Sequence, residues 1–266
     1  MLSKSKAKYI RSLGRKKGRL SACAFVAEGP KVVGELLGVL PVRMVLATDG
    51  WLRSHPSLGG EVVAVTDDEL SQVSFLQHPQ EVLAVFPLMD GGSVAANGDW
   101  SSVGESLSAR LFLALDGIRD PGNLGTIIRI ADWFGIDHIV CSPDTADVYN
   151  PKVVQATMGS LAHVHIHYLD LAEWLDSLPE DFPVYGTFLD GENIYGQSLS
   201  PHGVIVMGNE GSGISPGIAA RVSHRLVIPC FAQGRRAAES LNVAIATAIT
   251  CSEFSRRINL LQEMNH

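Results

Sequence analysis

The chain has 266 residues, 46% of them hydrophobic, with 26 glycines and a formal net charge of −7, which suits an α/β protein with a large core and one or two domains. No stretch approaches the roughly 18 apolar residues of a membrane span, and no apolar segment follows the basic N-terminus as in a secretory signal. The four cysteines lack CxxC spacing, so we expect a reduced, cytoplasmic protein with neither disulfides nor a zinc knuckle.

The N-terminal 20 residues are strongly basic although the whole chain is acidic. They hold eight of the 21 basic residues and no acidic one, which leaves 13 basic and 28 acidic residues elsewhere. This asymmetry predicts a basic helix that contacts phosphate; the alternative is a positively charged helix that only faces solvent. The candidate contacts are Lys8, Arg15, Lys16, Lys17 and Arg19.

Residues 1–88 predict a small α/β domain. Strands are expected at 24–27, 42–47, 62–65 and 81–86, with helices at 31–37 and from residue 67. Residues 89–108 are rich in Gly, Ser, Asn and Ala and have no apolar period, which predicts a linker or a long exposed loop.

Strands and helices alternate in residues 109–266. This pattern predicts a mainly parallel sheet with helices on both faces, whose ligands bind beyond the carboxyl ends of the strands. The expected strands are 111–115, 138–141, 163–168, 183–188, 203–207 and 225–228, and the expected helices are 124–134, 152–161, 171–178 and 241–259.

Polar residues follow three of these strands. The first group begins with a helix-start turn that ends at Asn123, and Arg129 lies two turns into the helix among apolar neighbours. Such an arginine needs an anionic partner or a route to the surface, and a structural ion pair explains it equally well.

The second group is the glycine-rich turn 208–213, which contains Glu210. Glycines allow the backbone to approach a ligand closely, although such turns are also common without a ligand. The spacing matches neither a dinucleotide fingerprint nor a P-loop, which disfavours a dinucleotide or triphosphate site.

The third group places Ser240, Leu241 and Asn242 at the start of the last helix. The simpler interpretation is an N-cap, which Ser and Asn favour. The functional interpretation is that both side chains face a ligand above the positive end of the helix.

In this order and at these separations, the three groups resemble the motifs of SpoU/TrmH-type RNA 2′-O-methyltransferases of the SPOUT class. Lys16-Lys17 followed by the sequence FVAEGPK at 25–31 is also similar to the substrate-binding domain of that family. The resemblance implies a sheet with a C-terminal trefoil knot, an exception to the usual absence of knots. It also implies a homodimer that uses S-adenosylmethionine, without a metal, to methylate rRNA or tRNA.

The resemblance also implies roles for single residues. The implied cofactor contacts are Thr187, Gly208, Ile228, Pro229 and Leu241, and the implied reaction centre is Asn123, Arg129, Glu210, Ser240 and Asn242. Family members have a shorter segment before Ser240; here residues 230–239 include Arg235-Arg236, a candidate RNA contact. Because a guanidinium stays protonated, we expect Arg129 to hold a phosphate and stabilise developing negative charge rather than accept a proton.

Three other functional classes are alternatives to this interpretation. His163, His165 and His167 alternate along one strand and are candidate metal ligands, but a polar edge strand is the better explanation because no carboxylate or Cys joins them at ligand spacing. A serine hydrolase lacks its GxSxG signature. A non-catalytic RNA-binding module would use only the basic helix, and the complete polar set argues against it.

Overall fold

The computed structural model describes residues 2–89, 110–232 and 238–264, with side chains described up to residue 258. The predicted linker 89–108 therefore lies outside the described residues apart from Met89. The chain divides into two compact units, residues 1–90 with 147–163 and residues 91–146 with 164–266. Among the described residues, no helix has the length and apolar character needed to cross a membrane.

The first unit is an α/β domain built on a four-stranded sheet of order β1-β4-β2-β3. Strands β2 and β3 run parallel, and the other two pairs are antiparallel. Its elements are α1 (Lys4–Ser12), α2 (Lys16–Ala22), β1 (Ala24–Glu28), α3 (Pro30–Leu37), β2 (Met44–Ala47), α4 (Asp49–Ser54), β3 (Glu61–Ala64), α5 (Asp67–Ser71) and β4 (Val82–Pro87).

The expected strands and helices of this region are present, with two differences. The basic segment forms two helices rather than one, because the chain turns between α1 and α2 and brings Gly18 against the carbonyl of Ser12, where a Cβ would clash. Helix α4 carries no apolar period and was not expected. The start of α5 follows its sequence signal, since Thr66 and Glu69 form a capping box.

A segment from the second half of the sequence completes the first unit. Residues 147–163, with α7 (Pro151–Ala156) and a 3-10 turn (Ser160–Ala162), group with residues 1–90, and α7 packs on β1. The ring of Tyr149 lies 4.9 Å from the ring of Phe25, and Asp147 pairs with Arg19 at 2.5 Å. The sequence pattern placed a helix at 152–161 but gave no indication that it leaves the second unit.

The second unit is a six-stranded, fully parallel sheet of order β10-β8-β9-β5-β6-β7, flanked by helices. The predicted parallel α/β class is thereby confirmed, and the implied knot stays a prediction. Its elements are β5 (Leu111–Asp116), α6 (Pro121–Trp133), β6 (His138–Cys141), β7 (His165–Tyr168), α8 (Leu171–Asp176), β8 (Val184–Asn193), a 3-10 turn (Ile194–Gly196), β9 (Gly203–Gly208), α9 (Pro216–Ala219), β10 (His224–Val227) and α10 (Val243–Met264).

The burial of the central strands explains why the sequence predicts them. Strands β5 and β9 are neighbours and almost completely buried, so they appear as continuous apolar runs. Trp174 of α8 and Ile218 of α9 belong to one core cluster with these strands. Helices α6 and α10 pack against each other. The pairing of β9 with β5 and β8, and of β8 with β10, places these four strands side by side.

Candidate functional site

A cavity of about 470 Å³ lies at the carboxyl ends of β9 and β10 and against the middle of β8, at the side of the parallel sheet where ligands are expected to bind. This volume is in the range of small-molecule sites. Its walls come from residues 187–189 of β8, 207–214 at the end of β9 and in the following turn, 227–228 at the end of β10, and 239–241, Val243 and Ala246 around the start of α10.

The turn after β9 is held rigidly. Gly208 is buried, and a Cβ there would clash with the backbone of Gly213 and Ile214, so only glycine fits. Asn209 exchanges backbone hydrogen bonds of 2.9 Å with Gly213, accepts from the Gly211 N–H at 2.9 Å, and donates its amide to the Gly117 carbonyl at 2.7 Å. The sequence analysis did not include Asn209 among the site residues. The pattern that indicates it is an Asn directly after a glycine at the end of a strand.

Three of the expected reaction-centre residues form a continuous hydrogen-bond chain. The Asn123 amide donates to Oε1 of Glu210 at 2.9 Å, and the Asn242 amide donates to Oδ1 of Asn123 at 3.0 Å. All three lie at the accessible surface beside the cavity. The sequence positions 123, 210 and 242 are thus brought together by the start of α6, the turn after β9 and the start of α10.

Local capping fixes the two ends of this chain. Asp120 accepts from the Asn123 N–H at 2.8 Å and, with Pro121 at the first position, starts α6. Oδ1 of Asn242 accepts from the N–H groups of Ala244 and Ile245 at 3.0 and 3.3 Å. Asn242 is therefore both a helix cap and a member of the polar chain, because its side-chain oxygen caps α10 while its amide nitrogen donates to Asn123.

The expected cofactor contacts mostly line the cavity. Thr187, Gly208, Ile228 and Leu241 are in its walls, as is Ser240 of the expected reaction centre. Pro229 follows Ile228 but is not among the described lining residues. The charged groups among those residues are Glu210 and Glu239. Two carboxylates suit a cationic ligand and disfavour a polyphosphate.

Arg129 is not brought into this cavity. It is exposed on α6, and the described lining does not include it. It lies four residues before Trp133 and therefore shares a helix face with it, and the Trp133 side chain is 85% exposed. Of the expected reaction centre, the described lining of the cavity therefore contains Glu210 and Ser240 but not Arg129.

The basic N-terminal residues divide into exposed and buried groups. Lys8, Arg15, Lys16 and Lys17 are exposed, as a phosphate contact requires. Arg19 is only 3% exposed, pairs with Asp147 and donates to the Leu13 carbonyl at 2.8 Å. The expected RNA contact at Arg19 is corrected accordingly, because its guanidinium is used inside the first unit. Arg235 and Arg236 lie outside the described residues.

The expected histidine strand is an edge strand, β7. His165 is exposed and His167 is buried, while His163 precedes the strand. Nε2 of His167 lies 3.2 Å from Nδ1 of His138 on β6. Burial lowers the pKa of His167 to about 4 and also lowers the pKa of His138. In the described ranges, no group of three or more His, Cys, Asp and Glu is arranged to hold a metal ion.

Two family descriptions match the two parts of the chain. Residues 110–252, more than half of the sequence, match the SpoU rRNA Methylase family. Residues 4–84 match the MRM3-like substrate binding domain. The first match contains the cavity and the polar chain, and the second contains the basic helices.

Individual relatives cover nearly the whole chain. The 23S rRNA (guanosine(2553)-2′-O)-methyltransferase RlmP of Bacillus subtilis is 33% identical over 251 residues, which are 92% of this chain and 93% of that protein. A TrmH-family protein from Porphyromonas gingivalis has 42% identity and a TM-score of 0.82, covering 97% of this chain and 99% of its own. An AdoMet-bound rRNA methyltransferase from Sinorhizobium meliloti has 29% identity and a TM-score of 0.79, covering 97% of both chains. With its fold, its cavity and these matches together, the chain belongs to the SpoU rRNA methylase family.

Proposed function

We propose that this protein transfers a methyl group from S-adenosylmethionine to a ribose 2′-hydroxyl of structured RNA, either rRNA or tRNA. The observation that carries the proposal is the cavity formed by the middle of β8 and the ends of β9 and β10, with the Asn123–Glu210–Asn242 chain beside it. It is supported by the Bacillus subtilis relative, whose name gives 2′-O-methylation of 23S rRNA, and by the Sinorhizobium meliloti structure, which contains AdoMet.

The residues of the cavity fit S-adenosylmethionine. Thr187, Gly208, Ile228 and Leu241 would hold it, and the glycine at 208 lets the turn that forms this wall close against Gly213 and Ile214. The carboxylate of Glu210 gives the wall the sign that suits the positive charges of this cofactor. When bound, the cofactor supplies an electrophilic methyl group, so the reaction needs no metal.

The protein has to orient the ribose hydroxyl and assist loss of its proton. Asn123, Asn242 and Glu210 form a fixed polar edge at the cavity mouth, and Ser240 adds a hydroxyl in the wall. Holding reacting groups in one geometry removes much of the entropic part of a barrier. Arg129 holds the neighbouring phosphate and stabilises negative charge that develops on oxygen.

Arg129 reaches such a position in a homodimer formed through the second unit. It lies on the same α6 face as Trp133, and Ile245 of α10, which packs on α6, is 53% exposed. Exposed aromatic and aliphatic side chains of this kind are typical of a protein interface. Pairing through α6 and α10 would cover these side chains and bring Arg129 to the cavity of the second copy.

The first domain, residues 1–88, serves as the RNA-binding part, joined through the linker 89–108 to the methyltransferase domain 109–266. The exposed Lys8, Arg15, Lys16 and Lys17 bind phosphates, and the reaction takes place in the cytoplasm. Replacing Lys16 and Lys17 together by Gln should make RNA binding less sensitive to salt. The slope of log Kd against log salt concentration should fall by about 0.7 to 0.9 for each phosphate that no longer has a lysine beside it.

Calorimetry with S-adenosylmethionine tests the proposed function directly. The full-length protein should bind the cofactor, and 2′-O-methyl sites that disappear from rRNA or tRNA on gene deletion should return with the wild-type gene. RNA binding without cofactor binding would instead identify a non-catalytic RNA-binding module. The methylated nucleotide found by mapping would also identify the RNA.

A further inference from the structure

One wall of the cavity is a segment of β8 for which no backbone pairing with a neighbouring strand is described. On the β10 side, Tyr185 and Gly186 of β8 pair with His224 and Arg225, and the ladder resumes at Glu192 opposite Leu226. Five residues of β8, 187–191, therefore lie between two consecutive pairs. On the other side, the described pairing of β8 with β9 also ends at Gly186. Thr187, Phe188 and Leu189 of this bulged segment line the cavity.

A single arginine bridges this segment from outside the cavity. Cζ of Arg225 lies 3.5 Å from the centroid of the Phe188 ring, and its Nη2 donates to Oδ1 of Asp190 at 2.7 Å. This ion pair holds the pKa of the Asp190 carboxyl below its usual range. Arg225 is the last β10 residue before the register shift, so it spans the point where backbone pairing stops.

Two glycines allow the segment to lie this close to β10. A Cβ at Gly186 would lie 2.7 Å from a ring carbon of Phe188, so the ring occupies the space that a side chain would need. At Gly191 a Cβ would clash with the backbone of Leu226. These two glycines therefore leave space for the Phe188 ring, which lies between the cavity and the Arg225 guanidinium.

We propose that Arg225 is a positioning residue that holds segment 187–191 in its cavity-lining arrangement and thereby sets the affinity of the site. This inference rests on the proposed function for the identity of the ligand. Arg225 is not among the described lining residues, so it acts through Phe188 and Asp190 rather than by touching the ligand. Without it, the segment has to be ordered during binding, which weakens affinity, whereas the reacting groups keep their geometry once the site is filled.

The test compares Arg225→Gln with Arg225→Lys and with Arg221→Gln. Arg221 makes a similar exposed ion pair with Asp176 at 2.6 Å but is not among the described lining residues, so it is the matched control. Arg225→Gln should raise the cofactor Kd by roughly three- to tenfold while kcat at saturating cofactor stays within about twofold. Arg225→Lys, which keeps the charge, should give an intermediate Kd, and Arg221→Gln should match the wild type.

Proteolysis without ligand provides a readout that does not depend on the cofactor. Chymotrypsin should cleave after Phe188 or Leu189 several times faster in Arg225→Gln than in the wild type or Arg221→Gln, because cleavage follows local opening. Unchanged Kd and unchanged cleavage in a folded Arg225→Gln protein would overturn the proposal, as would equal effects in Arg221→Gln. A wild-type protein that fails to bind the cofactor would overturn the proposed function instead, and the cleavage rates would still decide whether Arg225 holds the segment.

Discussion

Arg129 is the residue whose position and proposed role differ most. It is exposed on α6 and outside the described cavity lining, yet the proposed mechanism uses its charge near the RNA. Arg129→Ala should therefore leave the cofactor Kd unchanged and lower turnover by about 10²-fold or more, the usual effect of losing a group that stabilises developing charge. Calorimetry and methyl-transfer rates on the same preparation measure both quantities.

Arg129→Lys is the matched control for this residue. It keeps the positive charge but loses the planar fork that binds a phosphate in two places, so its turnover should fall between that of wild type and Arg129→Ala. Loss of cofactor binding in Arg129→Ala would contradict the role assigned to the guanidinium.

At the scale of elements, Asn242 at the start of α10 combines a helix cap with a hydrogen bond to Asn123 of the proposed reaction centre. Asn242→Ala removes both and should lower the free energy of unfolding by about 1 kcal/mol, as measured by urea denaturation. Asn242→Asp keeps the capping oxygen at a positive helix end but has no amide to donate to Asn123. The Asp variant should therefore be as stable as wild type and still lose turnover. Full activity in Asn242→Asp would show that the bond to Asn123 is dispensable.

His167 of the edge strand β7, which pairs with β6, should make the free energy of unfolding of the second unit depend on pH under acid conditions. Burial lowers the pKa of His167 from its ordinary value near 6.5 to about 4, so between these values the unfolded chain binds more protons than the folded one. The free energy of unfolding should therefore fall as the pH drops from about 6.5 to about 4, by at most about 3.4 kcal/mol. Urea titrations across this range should show a flatter profile for His167→Gln. An identical acid response in that variant would rule out His167 as the cause.

At the scale of the whole molecule, the first unit depends on a distant part of the chain. Asp147→Asn removes the charge that balances the buried Arg19 and should cost about 3 kcal/mol of unfolding free energy. Lys6→Gln, which breaks the exposed pair with Glu61, should change it by at most about 0.5 kcal/mol. Urea denaturation followed by circular dichroism measures both, and equal effects would contradict the buried pair's importance.

The proposed homodimer also belongs to this scale. Trp133→Glu places a charge on the α6 face and should convert the dimer to a monomer that still binds cofactor but has little turnover, since Arg129 no longer reaches a second copy. Leu20→Glu, at another exposed apolar position, should leave the assembly unchanged. Sedimentation velocity distinguishes these outcomes. A wild-type monomer with full activity would contradict the proposal.

The sequence by itself determined the element types and the parallel class. Buried strands such as β5 and β9 appear as continuous apolar runs, and helix starts such as Asp120–Pro121 carry their own capping groups. These signals are local, so they can be read without knowing the partners. The motif order also selected Asn123, Glu210 and Asn242 together, which the structure joins by hydrogen bonds.

Only the tertiary structure decided what depends on contacts between distant residues. Arg19 has the same local sequence signal as its exposed basic neighbours, and its burial follows from Asp147, 128 positions away. The β8 bulge and its bridge to Arg225 arise from the register of two strands, which neither strand encodes alone. Likewise, the residues that line the cavity come from several elements, and Arg129 of α6 is not among the described ones. Side-chain burial, strand register and the orientation of a helix face depend on contacts between two elements. They are therefore established only when the chain folds.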